Sequence, residues 1–239
     1  MNKGLLIAIE GIDGAGKTTQ TDMLKTWLEG RGLPVIKSEW YRTKAIYDLN
    51  MQLNLANEID AKTAFILVAA EFASRLEYVL KPAIDNGYII LCEKYIYTPM
   101  AKDVARGVTT EFVRLLYENA PVPDIIFYLD IDVDIALNRI QSTRKLQFWE
   151  SGIDMLLDGK GVNEGDSLAD RLKLYYDGKI DQTAMANGFL AFQARVMDEY
   201  CQLIDEYGMV VVNKDYNINQ QQDFIHTQVE QMLNLCGCG

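Results

Sequence analysis

One short segment restricts the fold of this chain more than any other, the glycine-rich stretch Gly-Ile-Asp-Gly-Ala-Gly-Lys-Thr at residues 11–18. It follows an apolar run at residues 5–9 and precedes apolar residues at helical spacing. A loop of the pattern G-x-x-x-x-G-K-[ST] between a strand and a helix surrounds an anionic phosphate with backbone N–H groups. Lys17 adds a cation that reaches the β and γ phosphates, and the Thr18 hydroxyl can bind Mg²⁺. The segment therefore predicts a nucleoside triphosphate site rather than a glycine-rich turn that binds nothing.

The helix after the loop contributes the positive end of its dipole to the same anion. Together with the N–H groups of the loop, this dipole favours a nucleoside triphosphate with Mg²⁺ as the ligand. The residues expected to contact this nucleotide are Gly11, Asp13, Gly14, Ala15, Gly16, Lys17, Thr18 and Thr19.

The composition is that of an ordinary globular protein and excludes several classes of function. At 239 residues the chain is long enough for one large domain with a buried core, and no shift in composition divides it. Its formal net charge of −11 has the wrong sign for a nucleic-acid or anionic-membrane surface, which requires a basic face. An anionic substrate must therefore be bound by cations that are placed locally.

The start of the chain and the cysteines predict a reduced, cytoplasmic protein. No secretory signal precedes the first strand, and no apolar run approaches the roughly 18 to 20 residues of a membrane span. The four cysteines, Cys92, Cys201, Cys236 and Cys238, are too few and too scattered for a disulfide framework. We interpret Cys236 and Cys238 as part of a frayed terminus rather than as a metal or redox pair.

Strand and helix patterns alternate along the chain. The apolar runs that predict strands lie at residues 5–9, 35–40, 88–92, 124–130 and 209–212. Residues with helical spacing lie between them, including one long segment at residues 60–85. Because no hairpin pattern joins two strands, we predict a doubly wound, five-stranded parallel sheet of the P-loop NTPase type, with helices on both faces. The whole chain, residues 1–239, is expected to form this single α/β domain.

Residues 142–181 differ from the rest of the chain. They are polar, contain glycines and mixed charges, and have no sustained apolar period except around residues 168–176. Long segments of this kind are commonly functional, as lids or binding loops. We therefore predict a mobile lid or a surface excursion here.

The order of these motifs resembles the thymidylate kinase family of nucleoside monophosphate kinases over nearly the whole chain. Residues 9–20 are close to the phosphate loop of that family, and residues 88–95 are similar to its strand that ends in Asp-Arg-Tyr. Residues 123–130 look like its fourth strand, residues 144–150 like its lid and residues 192–196 like the helix after the lid. The resemblance implies an enzyme that uses ATP and Mg²⁺ to convert dTMP to dTDP.

The resemblance also implies roles for residues in the loop, the third strand and the lid. Asp13 matches the carboxylate that binds the sugar 3′-hydroxyl of the acceptor, and Lys17 is the loop lysine. Glu93 matches an aspartate that holds the metal through water, so Thr18 and Glu93 are the expected metal residues. Gly14 stands where some members have a catalytic arginine, so the cation for phosphoryl transfer should come from the lid. The candidates are Arg144 and Lys145, with Arg139 third, although Lys145 is also typical of a plain surface lysine.

Three residues on the acceptor side depart from the family pattern. Lys94 replaces the arginine of Asp-Arg-Tyr, and a lysine cannot make the two-pronged phosphate contact of an arginine. Counted back from Glu93, the helix arginine that grips the acceptor phosphate falls on Phe72, with Arg75 one turn further on to serve instead. Phe72 is alternatively a core residue, and Arg75 is alternatively a solvated charge. The glutamine that family members usually have shortly after Tyr95 is absent, and Asp103 occupies that neighbourhood. The residues expected to bind the acceptor are Asp13, Arg42, Phe72, Arg75, Lys94, Tyr95 and Asp103.

These departures leave the identity of the acceptor open. The alternatives are a kinase for another nucleotide or nucleoside, and a degenerate family member that binds ATP and regulates without phosphorylating anything. His226 is the one histidine of the chain, which excludes Ser-His-Asp and Cys-His chemistry at the predicted motifs. Family members generally pair as homodimers, and the apolar face of the helix at residues 60–85 is the expected contact.

Overall fold

The computed structural model of the protein describes residues 4–40, 43–155 and 167–236. Of the residues singled out above, Arg42, Cys238 and the side chain of Cys236 lie outside this description. The described strands are β1 (Leu5–Glu10), β2 (Val35–Glu39), β3 (Ile89–Glu93), β4 (Ile125–Leu129) and β5 (Val210–Val212). The described α-helices are α1 (Lys17–Gly30), α2 (Lys44–Ala56), α3 (Ala61–Arg75), α4 (Lys81–Asp85), α5 (Tyr97–Ala105), α6 (Thr110–Leu116), α7 (Val133–Thr143), α8 (Leu168–Tyr176), α9 (Gln182–Tyr207) and α10 (Ile218–Cys236). In the described ranges, no helix has both the length and the apolar character needed to cross a membrane.

The strands form one five-stranded parallel sheet in the order β2-β3-β1-β4-β5. β1 lies at the centre, between β3 and β4, and all of its residues are buried, as expected of a strand that is covered on both faces. The prediction of a five-stranded parallel α/β sheet surrounded by helices is confirmed. In this register Ile9 lies opposite Glu93, so β3 ends beside the start of the glycine-rich loop.

The segment predicted as one helix at residues 60–85 is continuous but changes its hydrogen bonding. Helix α3 leads into a π-helical turn at Leu76–Leu80, which leads into α4. The N–H of Lys81 bonds the carbonyl oxygen of Leu76, the longer bond of a π turn. Pro82 accounts for the change, because it has no N–H to donate to the preceding turn.

The sequence patterns do not predict helix α2. Of its residues only Asn54 is buried, and Tyr47 and Leu49 are exposed. The helix packs against α3 and α8 rather than against the sheet, so it needs no continuous apolar face. Its apolar residues at positions 47, 49, 51, 53 and 55 recur every second residue, a spacing that does not indicate a helix.

Part of the predicted lid packs into the body of the protein. Within residues 142–181 the structure describes residues 142–155 and 167–181. Leu146, Phe148 and Ile153 are buried in the main hydrophobic core, and Phe148 contacts the ring of Tyr175 in α8. The prediction of a surface excursion is wrong for these residues, because they bury large apolar side chains. The lid function itself stays a prediction.

Candidate active site

The glycine-rich loop connects β1 to the first turn of α1, at the edge where the parallel strands end. Gly14 and Gly16 have φ angles of 87° and 95°, in the left-handed region that favours glycine. A Cβ atom on Gly14 would lie 2.7 Å from the carbonyl oxygen of Ala136 in α7. A side chain such as arginine at position 14 would therefore require α7 or the loop to move.

Lys17 is buried where the loop enters α1. Its Nζ atom donates to the carbonyl oxygens of Gly11 at 2.8 Å and Ile12 at 2.6 Å. Burial, together with the positive charges of Lys94 and Lys102, lowers the pKa of Lys17 to about 7. A phosphate close to this amine would favour its charged form, so anion binding and protonation of Lys17 are coupled.

Thr18 and Glu93 bring oxygen atoms together beside the loop. Thr18 Oγ1 donates to Glu93 Oε1 at 2.5 Å, and Lys37 Nζ lies 3.0 Å from Glu93 Oε2. Mg²⁺ prefers oxygen ligands and commonly takes one or two protein groups together with phosphates and water. Among the described residues no group of three or more acidic, histidine or cysteine side chains could hold a metal. The Thr18 and Glu93 oxygens therefore fit a magnesium ion that is bound chiefly by phosphate and water.

Glu10, at the end of β1, connects this strand to the residues after β3 and to α9. Its buried carboxylate accepts hydrogen bonds from Tyr95 N, Thr98 Oγ1 and Tyr200 Oη, each at 2.7 Å. Burial raises the pKa of Glu10 despite these bonds. The bond to Tyr95 N also constrains Lys94, whose φ of 66° is unusual for a residue with a side chain. Glu10 is absent from the site residues predicted from the sequence, although an acid at the end of a wholly apolar strand is itself a sign of a buried polar contact.

Asp13 lies at the centre of a cluster that we call the Asp13 cluster, formed by Asp13, Lys17, Lys94, Lys102 and Gln193. Lys94 Nζ lies 3.4 Å from Asp13 Oδ1, while Oδ2 is paired with Lys102 Nζ and accepts from Gln193 Nε2 at 3.2 Å. Burial alone would raise the pKa of Asp13, but the three lysines hold it well below its usual range. Asp13 is therefore a charged carboxylate with a lysine at each oxygen.

Lys102 and Gln193 are absent from the predicted site residues. Lys102 follows Thr98 by one helical turn in α5, and the bond of Thr98 to Glu10 brings this face of α5 to the loop. Gln193 lies among buried apolar residues of α9, and its side chain also accepts from the N–H of Asp13 at 3.2 Å. A polar residue in an otherwise apolar helix stripe is the feature by which the sequence could have indicated Gln193.

A cavity of about 1280 Å³ lies beside the Asp13 cluster, with walls from α2, α3, α5, α8 and the start of the predicted lid. Lys94, Lys102 and Asp103 line it, and Phe65 and Val68 add apolar surface. Burial raises the pKa of Asp103 to about 7. The cavity therefore combines apolar surface for a ring with charged groups for a polar ligand, a combination typical of small-molecule sites.

Two predicted acceptor residues, Phe72 and Tyr95, lie in the core and not in the wall of this cavity. Phe72 is 3% exposed, and its ring packs against those of Trp40, Tyr95 and Tyr117. Tyr95 donates its hydroxyl proton to the carbonyl oxygen of Pro121 at 2.9 Å. For Phe72 the structure thus favours the alternative of a core residue.

Arg75 is bound at the end of β2 and does not line the cavity. Its guanidinium donates to Ser38 Oγ at 2.7 Å, to the carbonyl oxygen of Glu39 at 2.6 Å and to Glu71 Oε2 at 3.3 Å. The side chain is 10% exposed, so the alternative of a solvated charge is wrong. Contact with an acceptor would require Arg75 to leave these partners.

Arg144 and Lys145, the predicted cations of the lid, follow α7 directly in the chain. Arg144 makes a two-pronged ion pair with Glu150, with N–O distances of 2.5 and 2.8 Å. This pair raises the pKa of Arg144, and the carboxylate of Asp13 acts on it in the same direction. Lys145 and Arg139 are exposed. Arg144 is thus an oriented cation within the electrostatic reach of the loop.

Arg106, after the end of α5, joins the predicted lid to that helix. Its Nε donates to Asp154 Oδ2 at 2.7 Å, and a terminal nitrogen donates to the carbonyl oxygen of Trp149 at 2.6 Å. The guanidinium also lies over the ring of Phe192, 4.3 Å from its centroid. Because Arg106, Trp149 and Asp154 all line the cavity, these bonds hold one of its walls in place.

Comparisons with known proteins identify relatives of this chain. The sequence model of one protein family, described as thymidylate kinase, matches residues 9–156. A protein of Saccharolobus solfataricus, described as probable thymidylate kinase 2, is 33% identical over 205 residues, which cover 85% of this chain and 84% of the relative. A thymidylate kinase of Fervidobacterium nodosum is 32% identical over 158 residues, covering 62% of this chain and 80% of the relative. A probable thymidylate kinase of Pyrococcus abyssi is 30% identical over 162 residues, covering 65% and 77%.

Proposed function

Because the chain belongs to the thymidylate kinase family, we propose that it transfers the γ-phosphoryl group of ATP to the 5′-phosphate of dTMP, forming dTDP and ADP. The observation that carries this proposal is the contact between the phosphate-binding loop and two lysines of the cavity wall, through the Asp13 carboxylate. Donor and acceptor sites therefore adjoin, as in-line phosphoryl transfer requires.

ATP is the proposed ligand of the loop at residues 11–19. The backbone N–H groups and Lys17 bind its phosphates, and the helix dipole of α1 supports the same charge. Thr18 and Glu93 would hold Mg²⁺, whose contribution is to neutralise charge on the β and γ phosphates. The short contact between the Thr18 hydroxyl and the Glu93 carboxylate supports this assignment.

The acceptor nucleotide is proposed to occupy the cavity. Asp13 accepts the hydrogen bond of the sugar 3′-hydroxyl, and Lys94 contacts the 5′-phosphate. Phe65 and Val68 offer the apolar surface that a pyrimidine ring needs, and Asp103 is a polar group of the wall whose pKa is raised by burial to about 7. These roles rest on the lining of the cavity and on the ion pairs of Asp13.

The transferring phosphoryl group needs a cation, for which Arg144 is the proposed source. Its guanidinium is oriented by Glu150 and stays charged at any relevant pH. Lys145, next in the chain, is the second candidate. Arg144→Ala should therefore lower kcat, by about 10³-fold, with a small effect on KM for either substrate, because the contact forms mainly in the transition state.

A coupled ADP-release assay tests the proposed reaction. It compares dTMP, dUMP, dCMP, dGMP, UMP and thymidine as acceptors, with Lys17→Ala and Arg144→Ala beside the parent protein. We expect dTMP to give the highest kcat/KM and both variants to be impaired. A second candidate function is a kinase for another nucleotide or nucleoside, and the departures from the family pattern at Asp103 and Lys94 in the cavity wall support it. Turnover on one of those acceptors alone would establish this second function. No acceptor-dependent ADP at all would indicate a regulatory ATP-binding protein.

A homodimer is also proposed, through the helical segment at residues 60–85. Ile66, Tyr78 and Val79 are 43%, 82% and 45% exposed on this segment. Burial of these side chains in a second copy would remove their apolar surface from water.

A further inference from the structure

The Asp13 cluster holds three lysines around one carboxylate. Lys17, Lys94 and Lys102 all act on the charge of Asp13, while the nearby carboxylates of Glu93 and Glu10 also act on Lys94. Burial, with the positive charge of Lys94, lowers the pKa of both Lys17 and Lys102. Such a cluster favours an anionic ligand, because added negative charge stabilises the protonated amines.

Two of the three lysines face the cavity. Lys17 is directed to carbonyl oxygens of the loop, whereas Lys94 and Lys102 line the cavity. The side chain of Lys102 is 16% exposed, so its amine is largely removed from water. A lysine amine has three N–H donors, and the contact with Asp13 uses one of them. Lys102 therefore has donors left for a second anion.

Arg75, which was expected to bind the acceptor phosphate, and Arg106 of the cavity wall both have other partners. Arg75 is bound to the end of β2 and to Glu71, and Arg106 is bound to Asp154 and Trp149. Phe72 is a core residue. Among the described residues of the cavity wall, the cations that contact Asp13 are Lys94 and Lys102.

We propose that Lys102 binds the 5′-phosphate of the acceptor nucleotide together with Lys94, and that it thereby selects a nucleoside monophosphate over the nucleoside. Asp13 holds one amine at each carboxylate oxygen, so the two cations are kept on the same side of the cavity. A phosphate dianion that contacts both amines would be held by two separate cations, in place of the forked contact that a single arginine provides. This inference rests on the proposed function, since it assigns a residue to the acceptor subsite.

The test separates the phosphate of the acceptor from its nucleoside. Binding of dTMP and of thymidine is measured by calorimetry without ATP, for the parent and for Lys102→Met. We expect dTMP to bind about 10- to 100-fold more weakly to the variant, the loss of one hydrogen bond to a charged group. Thymidine affinity should change by less than about twofold, and ATP affinity should stay the same, because neither ligand places a phosphate at Lys102.

Two further variants guard against a loss of folding. Lys102→Arg keeps the charge and should retain dTMP affinity within about fivefold. Lys25→Met removes a lysine whose ion pair with Glu29 lies on the exposed surface of α1, and it should bind both ligands as the parent does. Thermal unfolding of all variants confirms that each is folded at the temperature of the titrations.

If Lys102→Met weakens the binding of dTMP and of thymidine equally, the inference is overturned, because Lys102 would then act by orienting Asp13 toward the sugar. Unchanged dTMP affinity would overturn it as well, while turnover of dTMP by the parent would keep the proposed reaction intact. If the acceptor panel selects another monophosphate, the same comparison is made with that nucleotide and its nucleoside. A parent protein that binds none of the monophosphates would refute both proposals.

Discussion

Burial lowers the pKa of Lys17 to about 7, which makes the charge of this residue sensitive to the ligand. Above pH 7 the amine is largely neutral in the free protein, and phosphate oxygens should raise its pKa on binding. ATP binding at pH 8 is therefore expected to take up a fraction of a proton, whereas at pH 6 Lys17 is already charged and takes up none. Calorimetry in buffers of different ionisation enthalpy measures the uptake.

Lys17→Met is the matched variant for this measurement. This substitution should abolish the proton uptake and weaken the binding of ATP by about 100-fold, because a buried charged contact to phosphate is lost. Uptake of the same size in Lys17→Met would assign the proton to another group and contradict the prediction.

Among the polar residues near the loop, Glu10 is the one whose replacement should lower the free energy of unfolding most. Its carboxylate accepts from Tyr95 N, Thr98 Oγ1 and Tyr200 Oη. In Glu10→Ala the N–H of Tyr95 would lose its partner, and the hydroxyls of Thr98 and Tyr200, 3.2 Å apart, would keep only their contact with each other. We expect the free energy of unfolding to fall by about 3 kcal/mol. Denaturant unfolding measures it, with Tyr200→Phe, which removes one donor, as the control at about 1 kcal/mol. Equal losses in the two variants would contradict this view of Glu10.

Helix α5 and the start of the predicted lid form one unit through the Arg106–Asp154 pair, whose side chains are 11% and 7% exposed. Asp154→Ala leaves the Arg106 charge buried without its partner. The free energy of unfolding should decrease by about 3 to 5 kcal/mol, and amide hydrogens of residues 144–155 should exchange faster. Unfolding in denaturant and hydrogen exchange test both effects.

The Arg114–Glu206 pair between α6 and α9 is the matched control for the Arg106–Asp154 pair, because both of its side chains are about 40% exposed. Arg114→Met should cost less than about 1 kcal/mol and leave the exchange of residues 144–155 unchanged. A cost for Asp154→Ala no larger than this would show that the Arg106 contact does not hold the lid segment to α5.

At the scale of the whole molecule, we expect two copies of the chain to form a homodimer. The exposed apolar side chains Ile66, Tyr78 and Val79 lie on one continuous helical segment, and their burial in a second copy would stabilise a homodimer. Sedimentation at micromolar concentration should give a dimer for the parent and a monomer for the double variant Ile66→Glu and Tyr78→Glu. A parent that sediments as a monomer would refute the proposal.

The linear sequence by itself determined the class of fold and the position of the triphosphate loop. Both depend on local patterns, because alternating apolar runs and helical spacing predict a parallel sheet, and G-x-x-x-x-G-K-[ST] requires only neighbouring residues. The placement of Glu93 at the edge of the sheet that carries the loop also followed, since parallel strands end at one edge. These inferences needed no knowledge of side-chain contacts between distant segments.

The tertiary structure alone decided which side chains form the acceptor side. Phe72 and Arg75 share a helix with residues of the cavity wall, yet packing turns Phe72 into an aromatic cluster and binds Arg75 to the end of β2. Lys102 and Gln193 reach Asp13 from helices that are far apart in the chain, a contact that no local period encodes. Periodicity specifies the face of a helix, whereas the neighbour of that face depends on how the helices pack together, and the acceptor site is made from such neighbours.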